Sequence, residues 1–158
     1  MTAPSPRAAR SGRVLIPDVS GGLEYLPVPV VNGVDDEGLP RMQYTPENVA
    51  GPGDLDPAEI NLPGCDCLTS SCQLGTCICL QCYQGAYDKN KCLVDLNDKT
   101  NYSRPVFECN IMCKCSETCE NRLVQRGLVF KLQVFRTSKK GWGLRTLEPI
   151  ERGRFVSS

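Results

Sequence analysis

The sequence predicts an irregular metal-cluster module with few helices, followed by the first β-strands of an all-β fold. Three observations carry this. Nine of the eleven cysteines fall into two dense clusters, Cys65-x-Cys67-x4-Cys72-x4-Cys77-x-Cys79 and Cys109-x3-Cys113-x-Cys115-x3-Cys119. The segment that holds them, residues 65–119, is poor in large aliphatics and rich in turn formers, so it needs a staple in place of an apolar core. After Gly127 the pattern turns to alternation, with Phe130, Leu132 and Val134 set against Lys131, Gln133 and Phe135.

Taken in order, residues 1–13 are small, polar and basic, with Pro4 and Pro6, and read as a disordered tail. Residues 14–31 hold two short apolar runs, Val14-Leu15-Ile16 and Leu26-Pro27-Val28-Pro29-Val30-Val31. The prolines forbid a central strand and favour an extended arm lying along another surface. Asn32-Gly33 and Glu37-Gly38 are turn signals. Pro46, Gly51, Pro52, Gly53, Pro57 and Pro63 make residues 44–63 a loop. The cysteine region is expected to be irregular, with at most short helical turns near Ser116–Arg122. Ser138 to Gly143 contains a turn, and Leu144–Leu147 and Arg154–Val156 read as further strands.

The cysteines point to an all-sulfur zinc site, since the chain has no histidine. Three tetrahedral zinc ions need twelve ligand positions, which nine thiolates fill if three of them bridge. Nine thiolates and three zinc ions leave a net charge of −3, which basic neighbours or backbone N–H donors should offset. A disulfide framework is the bland alternative. Against it stand the odd cysteine count, an N-terminus without an apolar signal-peptide core, and Cys-x-Cys pairs suited to joint ligation. Iron–sulfur sites use other spacings. Copper storage would not need the patterned flanks. Cys82 and Cys92 lie outside the pattern. No stretch approaches the roughly 18 apolar residues of a membrane span.

Net charge is zero but uneven, because residues 121–158 hold nine basic and two acidic side chains. A DNA-binding surface is one reading. A charged face that partly neutralises the metal cluster suits the scattered placement of these residues better.

Several runs together resemble a known family. These are the two cysteine clusters, Phe107-Glu108-Cys109-Asn110, Asn121-Arg122-Leu123-Val124-Gln125-x-Gly127 and Lys140-Gly141-Trp142-Gly143-Leu144-Arg145. They resemble the pre-SET zinc module and the start of the SET domain in the suppressor-of-variegation class of histone-lysine methyltransferases. Tyr25 to Asp35 is similar to that family's N-terminal segment, which wraps against the SET domain. Gln43 to Val49 and Asp56 to Cys65 look closest to the branch in which a SET half is joined to a mariner transposase.

The resemblance implies a triangular three-zinc cluster on Cys65, Cys67, Cys72, Cys77, Cys79, Cys109, Cys113, Cys115 and Cys119, with Cys92 a non-ligand. It also implies that Lys140, Gly141 and Trp142 form a loop contacting S-adenosylmethionine, largely through backbone groups. The implied partners are the histone H3 tail and chromatin, in the nucleus. The expected division is a tail at 1–17, arm and loop at 18–64, pre-SET module at 65–124 and the N-terminal part of the SET domain at 125–158.

The chain departs from the family after Arg154-Phe155-Val156, where Ser157-Ser158 replaces Cys-Glu-Tyr-x-Gly-Glu. The asparagine-histidine motif, the channel tyrosine and the post-SET cysteines are not in this sequence. The expectation is a methyltransferase piece with its zinc module intact and its catalytic half missing, inactive alone. The competing readings are a non-catalytic zinc module that binds chromatin or a protein, and a metal-handling protein.

Overall fold

The computed structural model describes residues 12–53, 59, 62–94 and 105–157. They form two compact units, one built from the chain up to Pro46 with Leu128–Ile150, the other from Glu47–Gly127 with the residues from Glu151 onward.

The first unit is a four-stranded sheet ordered β1-β2-β3-β4, with β1 at Arg13–Ile16, β2 at Val30–Asn32, β3 at Leu132–Thr137 and β4 at Gly141–Thr146. β1 and β2 are antiparallel, with a bulge between Val14 and Ile16. β2 and β3 are parallel, pairing Val30 with Val134 and Val31 with Phe135. β3 and β4 are an antiparallel hairpin running from Leu132↔Thr146 to Thr137↔Gly141. Val28, Val30, Val31, Leu128 and Leu132 are its buried apolar residues.

Two expectations are corrected here. The arm supplies a central strand, and the tail expected over residues 1–17 gives way to β1 from Arg13. Residues 1–11 lie outside the described residues. The prolines permit the central strand because β2 starts just after Pro29. Proline lacks a donor but keeps its carbonyl, and the Val134 N–H donates to the Pro29 oxygen at 2.9 Å. β1 covers the other edge of β2. Thus β3 and β4 have partners within this chain, and the surface that the arm wraps is present.

The β1–β2 connection is organised by one carboxylate. Asp18 accepts the N–H groups of Ser20, Gly22 and Val28 and the Ser20 hydroxyl, at 2.7 to 3.0 Å. The turn passes through Gly21 and Gly22, both at positive φ, where a side chain would be strained.

Among its described residues the second unit is irregular, with one short helix, α1 at Ile78–Tyr83, and a 3-10 turn at Val124–Arg126. Few helices were expected, and few are found. α1 itself was not foreseen, and the 3-10 turn falls just after the region expected to hold helical turns. Arg154 makes only an isolated bridge to Cys92, so the strand expected over 154–156 is not formed. The core of this unit is mostly sulfur, with Leu80 of α1 packed among the buried cysteines.

Candidate metal centre and the Gly141 turn

The two cysteine clusters meet. Backbone geometry brings them together at Gly64, which lies against Met112 and Cys113 with no room for a side chain. Next to it, the Lys114 N–H donates to the Cys65 carbonyl at 2.8 Å. Cys109 N–H donates to the Asn121 carbonyl, closing the loop that carries the second cluster.

Seven of the nine patterned cysteines form three interlocking groups of four. These are Cys65, Cys72, Cys109 and Cys115; Cys65, Cys67, Cys72 and Cys77; and Cys65, Cys77, Cys79 and Cys109. Within each group the sulfurs lie within 4.8 Å of one another. Cys113 joins through Cys79, its Sγ 3.7 Å away, and the Cys119 sulfur accepts the Cys72 N–H. None of the eleven cysteines is in a disulfide.

These residues fit zinc. Zn–S bonds of about 2.3 Å in a tetrahedron place neighbouring sulfurs about 3.8 Å apart. Cys65–Cys72, Cys72–Cys109 and Cys79–Cys113 stand at 3.7, 3.8 and 3.7 Å. A disulfide needs about 2.05 Å. Shared membership of one sulfur in several groups is what a bridged cluster requires.

Electrostatics explains why so many thiols need a cation. Burial pushes the thiols of Cys67 and Cys79 up to about 11 and about 12, and those of Cys72, Cys109 and Cys115 up as well. Burial opposes ionisation of Cys65 too, but N–H and thiol donors outweigh it and bring the group down to about 6. The donors are preset. Cys65 and Asn110 N–H groups point at the Cys113 sulfur at 3.3 and 3.2 Å, and the Asn121 amide points at Cys109.

Arg122 supplies a full positive charge. It is 7% exposed, and its guanidinium donates to the Cys115 sulfur at 3.4 Å and to the carbonyls of Cys113 and Cys115. Arg126 donates to the Thr118 and Cys119 carbonyls at 2.7 and 2.8 Å. Arg122 is thus a basic neighbour in contact with a sulfur, while Arg126 secures the backbone of the second cluster. Glu108 holds the frame behind them. One of its oxygens accepts the N–H groups of Leu123 and Val124 and the Tyr87 hydroxyl. The sequence assigns Glu108 no task, and it sets Arg122 only among the basic residues that could offset the cluster as a group. The position of Arg122, three residues after Cys119, was the available signal.

Cys82 is exposed on α1, and Cys92 is buried beside Arg154; neither is in the interlocking groups.

Lys140, Gly141 and Trp142 lie at the β3–β4 turn. Thr137 pins this turn, its hydroxyl accepting the Lys140 N–H and donating to the Gly141 carbonyl, both at 2.9 Å. Gly141 has a φ of 73°. Trp142 pairs across the hairpin with Arg136, and its indole N–H is buried without an acceptor among the described residues.

Comparison with known proteins agrees with this geometry. The Pre-SET motif matches residues 20–122. The chain is 54% identical over 141 residues to the rat histone-lysine N-methyltransferase SETMAR, covering 88% of this chain and 44% of that protein. It thus spans less than half the length of this curated relative. The crystal structure of the human SETMAR methyltransferase domain superposes with a TM-score of 0.73 at 51% identity, over 89% of this chain and 50% of that one. A crystal structure of KRYPTONITE with mCHH DNA, an H3(1–15) peptide and SAH superposes with a TM-score of 0.78 at 31% identity, over 98% of this chain and 32% of that one. With nine patterned cysteines gathered into a sulfur core and the motif matched over most of its length, the chain belongs to the Pre-SET family, the module carried by these histone-lysine methyltransferases.

Proposed function

We propose that this chain is the zinc-holding module and the first SET strands of an S-adenosylmethionine-dependent histone-lysine N-methyltransferase acting on a lysine of the histone H3 tail, in nuclear chromatin. The carrying observation is the interlocked sulfur core, in a sequence 54% identical to a histone-lysine methyltransferase. The DNA and H3 peptide bound by KRYPTONITE support the chromatin setting. Cys65, Cys67, Cys72, Cys77, Cys79, Cys109, Cys113, Cys115 and Cys119 hold three structural zinc ions, and Lys140, Gly141 and Trp142 contribute to the cofactor surface.

Zinc contributes fold, not chemistry. A structural zinc site adds an apparent ~10–16 kcal/mol of folding free energy, so metal uptake and folding of the module are one event. Arg122 and the aimed N–H groups neutralise the thiolates. The sequence has no histidine to take the proton of a lysine amine. These 158 residues alone are therefore proposed to be without transferase activity.

Elemental analysis tests the metal assignment, with about three zinc ions per chain expected; one or two at full occupancy would rule out the bridged cluster. Cys72→Ser and Cys113→Ser should abolish folding of the module. Radiolabel transfer from S-adenosylmethionine to histone H3 tests the rest. It is expected from the longest natural product containing this sequence and not from these residues alone. Transfer by neither leaves the non-catalytic chromatin module as the reading.

A further inference from the structure

We infer that Arg136 is a positioning residue for the Gly141 turn, clamped by Asp35 and Glu37 so that it holds Trp142 in place. Arg136 and Trp142 are opposite each other in the β3–β4 ladder. The guanidinium carbon lies 5.7 Å from the centre of the Trp142 ring, within the range in which an aromatic face attracts a cation. The same guanidinium is also held by two carboxylates. Its Nε donates to the Asp35 carboxylate at 3.0 Å and an Nη donates to the Glu37 carboxylate.

Both carboxylates belong to the turn after β2, which is itself tightly built. The Asn32 amide donates to the Asp35 carboxylate and the Glu37 carbonyl, at 2.8 and 2.7 Å. The Asn32 side-chain oxygen accepts the N–H groups of Val34 and Asp35. Asn32 is 5% exposed and is the last residue of β2. A chain of fixed groups therefore runs from β2 through Asn32, Asp35 and Arg136 to Trp142. Asn32 and Arg136 also hold the Asp35 carboxyl below its ordinary range.

The turn at Gly141 has few other anchors. Thr137 fixes its backbone, and nothing among the described residues accepts the Trp142 indole N–H. Trp142 is the second residue of β4, so its ring is held by strand pairing and by the Arg136 side chain opposite it. The clamp gives the N-terminal arm a task beyond completing the sheet: it sets the ring that borders the turn. The arm would then influence cofactor affinity while touching no cofactor atom; this last step rests on the proposed role of Lys140, Gly141 and Trp142.

Trp142 is the sole tryptophan, so its fluorescence reads the clamp directly in this chain. The double variant Asp35→Asn with Glu37→Gln should shift emission to the red and raise acrylamide quenching about twofold, with zinc content unchanged. Arg136→Met should do the same, and Arg136→Lys should restore part of the loss. Unchanged emission and quenching in both variants would overturn the inference and leave the methyltransferase reading intact. In the longest product containing this sequence, the double variant should raise KM for S-adenosylmethionine about fivefold with kcat little changed. Altered fluorescence with an unaltered KM overturns the link to the cofactor. No transfer by the unsubstituted product, with the fluorescence response intact, counts against the methyltransferase reading and not against the clamp.

Discussion

Gly64 lies against Met112 so closely that a Cβ on it would stand 2.1 Å from the Met112 carbonyl oxygen. The obstruction is backbone, so no rotamer change relieves it. This contact is where the two cysteine clusters are drawn together, next to the Lys114 N–H bond to the Cys65 carbonyl. Gly64→Ala is expected to destabilise the module by at least about 2 kcal/mol, and to slow zinc uptake on refolding. Guanidinium unfolding followed by far-UV dichroism measures the first, and a chromogenic zinc competitor the second. An unshifted midpoint would show that the close approach is dispensable.

Arg122 is expected to matter more than any other basic residue of the module. Its guanidinium serves one sulfur and two carbonyls from a buried position. Hydrogen bonds to charged groups contribute about 1.5–3 kcal/mol, so Arg122→Met should cost about 2–4 kcal/mol and speed zinc loss to a chelator about tenfold or more. Arg122→Lys keeps the charge but not the fork, and should recover only part. Equal chelation rates in all three proteins would mean that backbone donors suffice.

Asp18 controls acid sensitivity of the β1–β2 connection. The Val28 N–H, the Ser20 hydroxyl and the Gly22 and Ser20 N–H groups lower its carboxyl from the ordinary 3.8 to about 2. A group lowered by folding stabilises the fold above its unfolded pKa, and that contribution disappears as pH falls through the folded value. The window is therefore about pH 4 down to about pH 2. The Val28 amide resonance should titrate near the lower end of that window. A midpoint near 4 would mean that the carboxylate is not held. In Asp18→Asn the transition should vanish. Following this resonance separates the event from thiolate protonation in the other unit.

Amide exchange should be slowest in the interior strands. Val30, Val31 and Val134 lie in β2 and β3, each paired on both sides, whereas β1 and β4 are edges of the described sheet. Edge strands open first. Fast exchange at Val31 and Val134 would mean that β2 and β3 do not hold each other in solution.

Chelation should unfold the sulfur-cored module as one event, with loss of α1. Cys77, Cys79 and Leu80 are buried against sulfur, and among the described residues no large apolar core remains to hold that helix once the metal no longer ties the sulfurs together. Retention of the helical signal in excess chelator would show that packing, not metal, supports it.

The sequence by itself determined which sulfurs a metal site could draw on. Nine cysteines at fixed spacings without a histidine leave few ways to build a site, because ligand type and number are local properties of the chain. It also determined the hairpin, since Leu132, Val134 and Leu144 alternate around a turn containing Gly141. Tertiary structure decided what depends on partners distant in the chain. That Val30–Asn32 becomes a central strand despite Pro27 and Pro29 depends on β3, about a hundred residues on, offering the Val134 N–H to the Pro29 carbonyl. That Arg122 serves the cluster while Arg136 serves Trp142 could not be read from two scattered arginines, because a buried cation is placed by whichever acceptors the fold delivers. Gly64 likewise looks like one more loop glycine until Met112 is folded against it. Local pattern specifies which groups are available, and only long-range closure of the chain decides which of them meet.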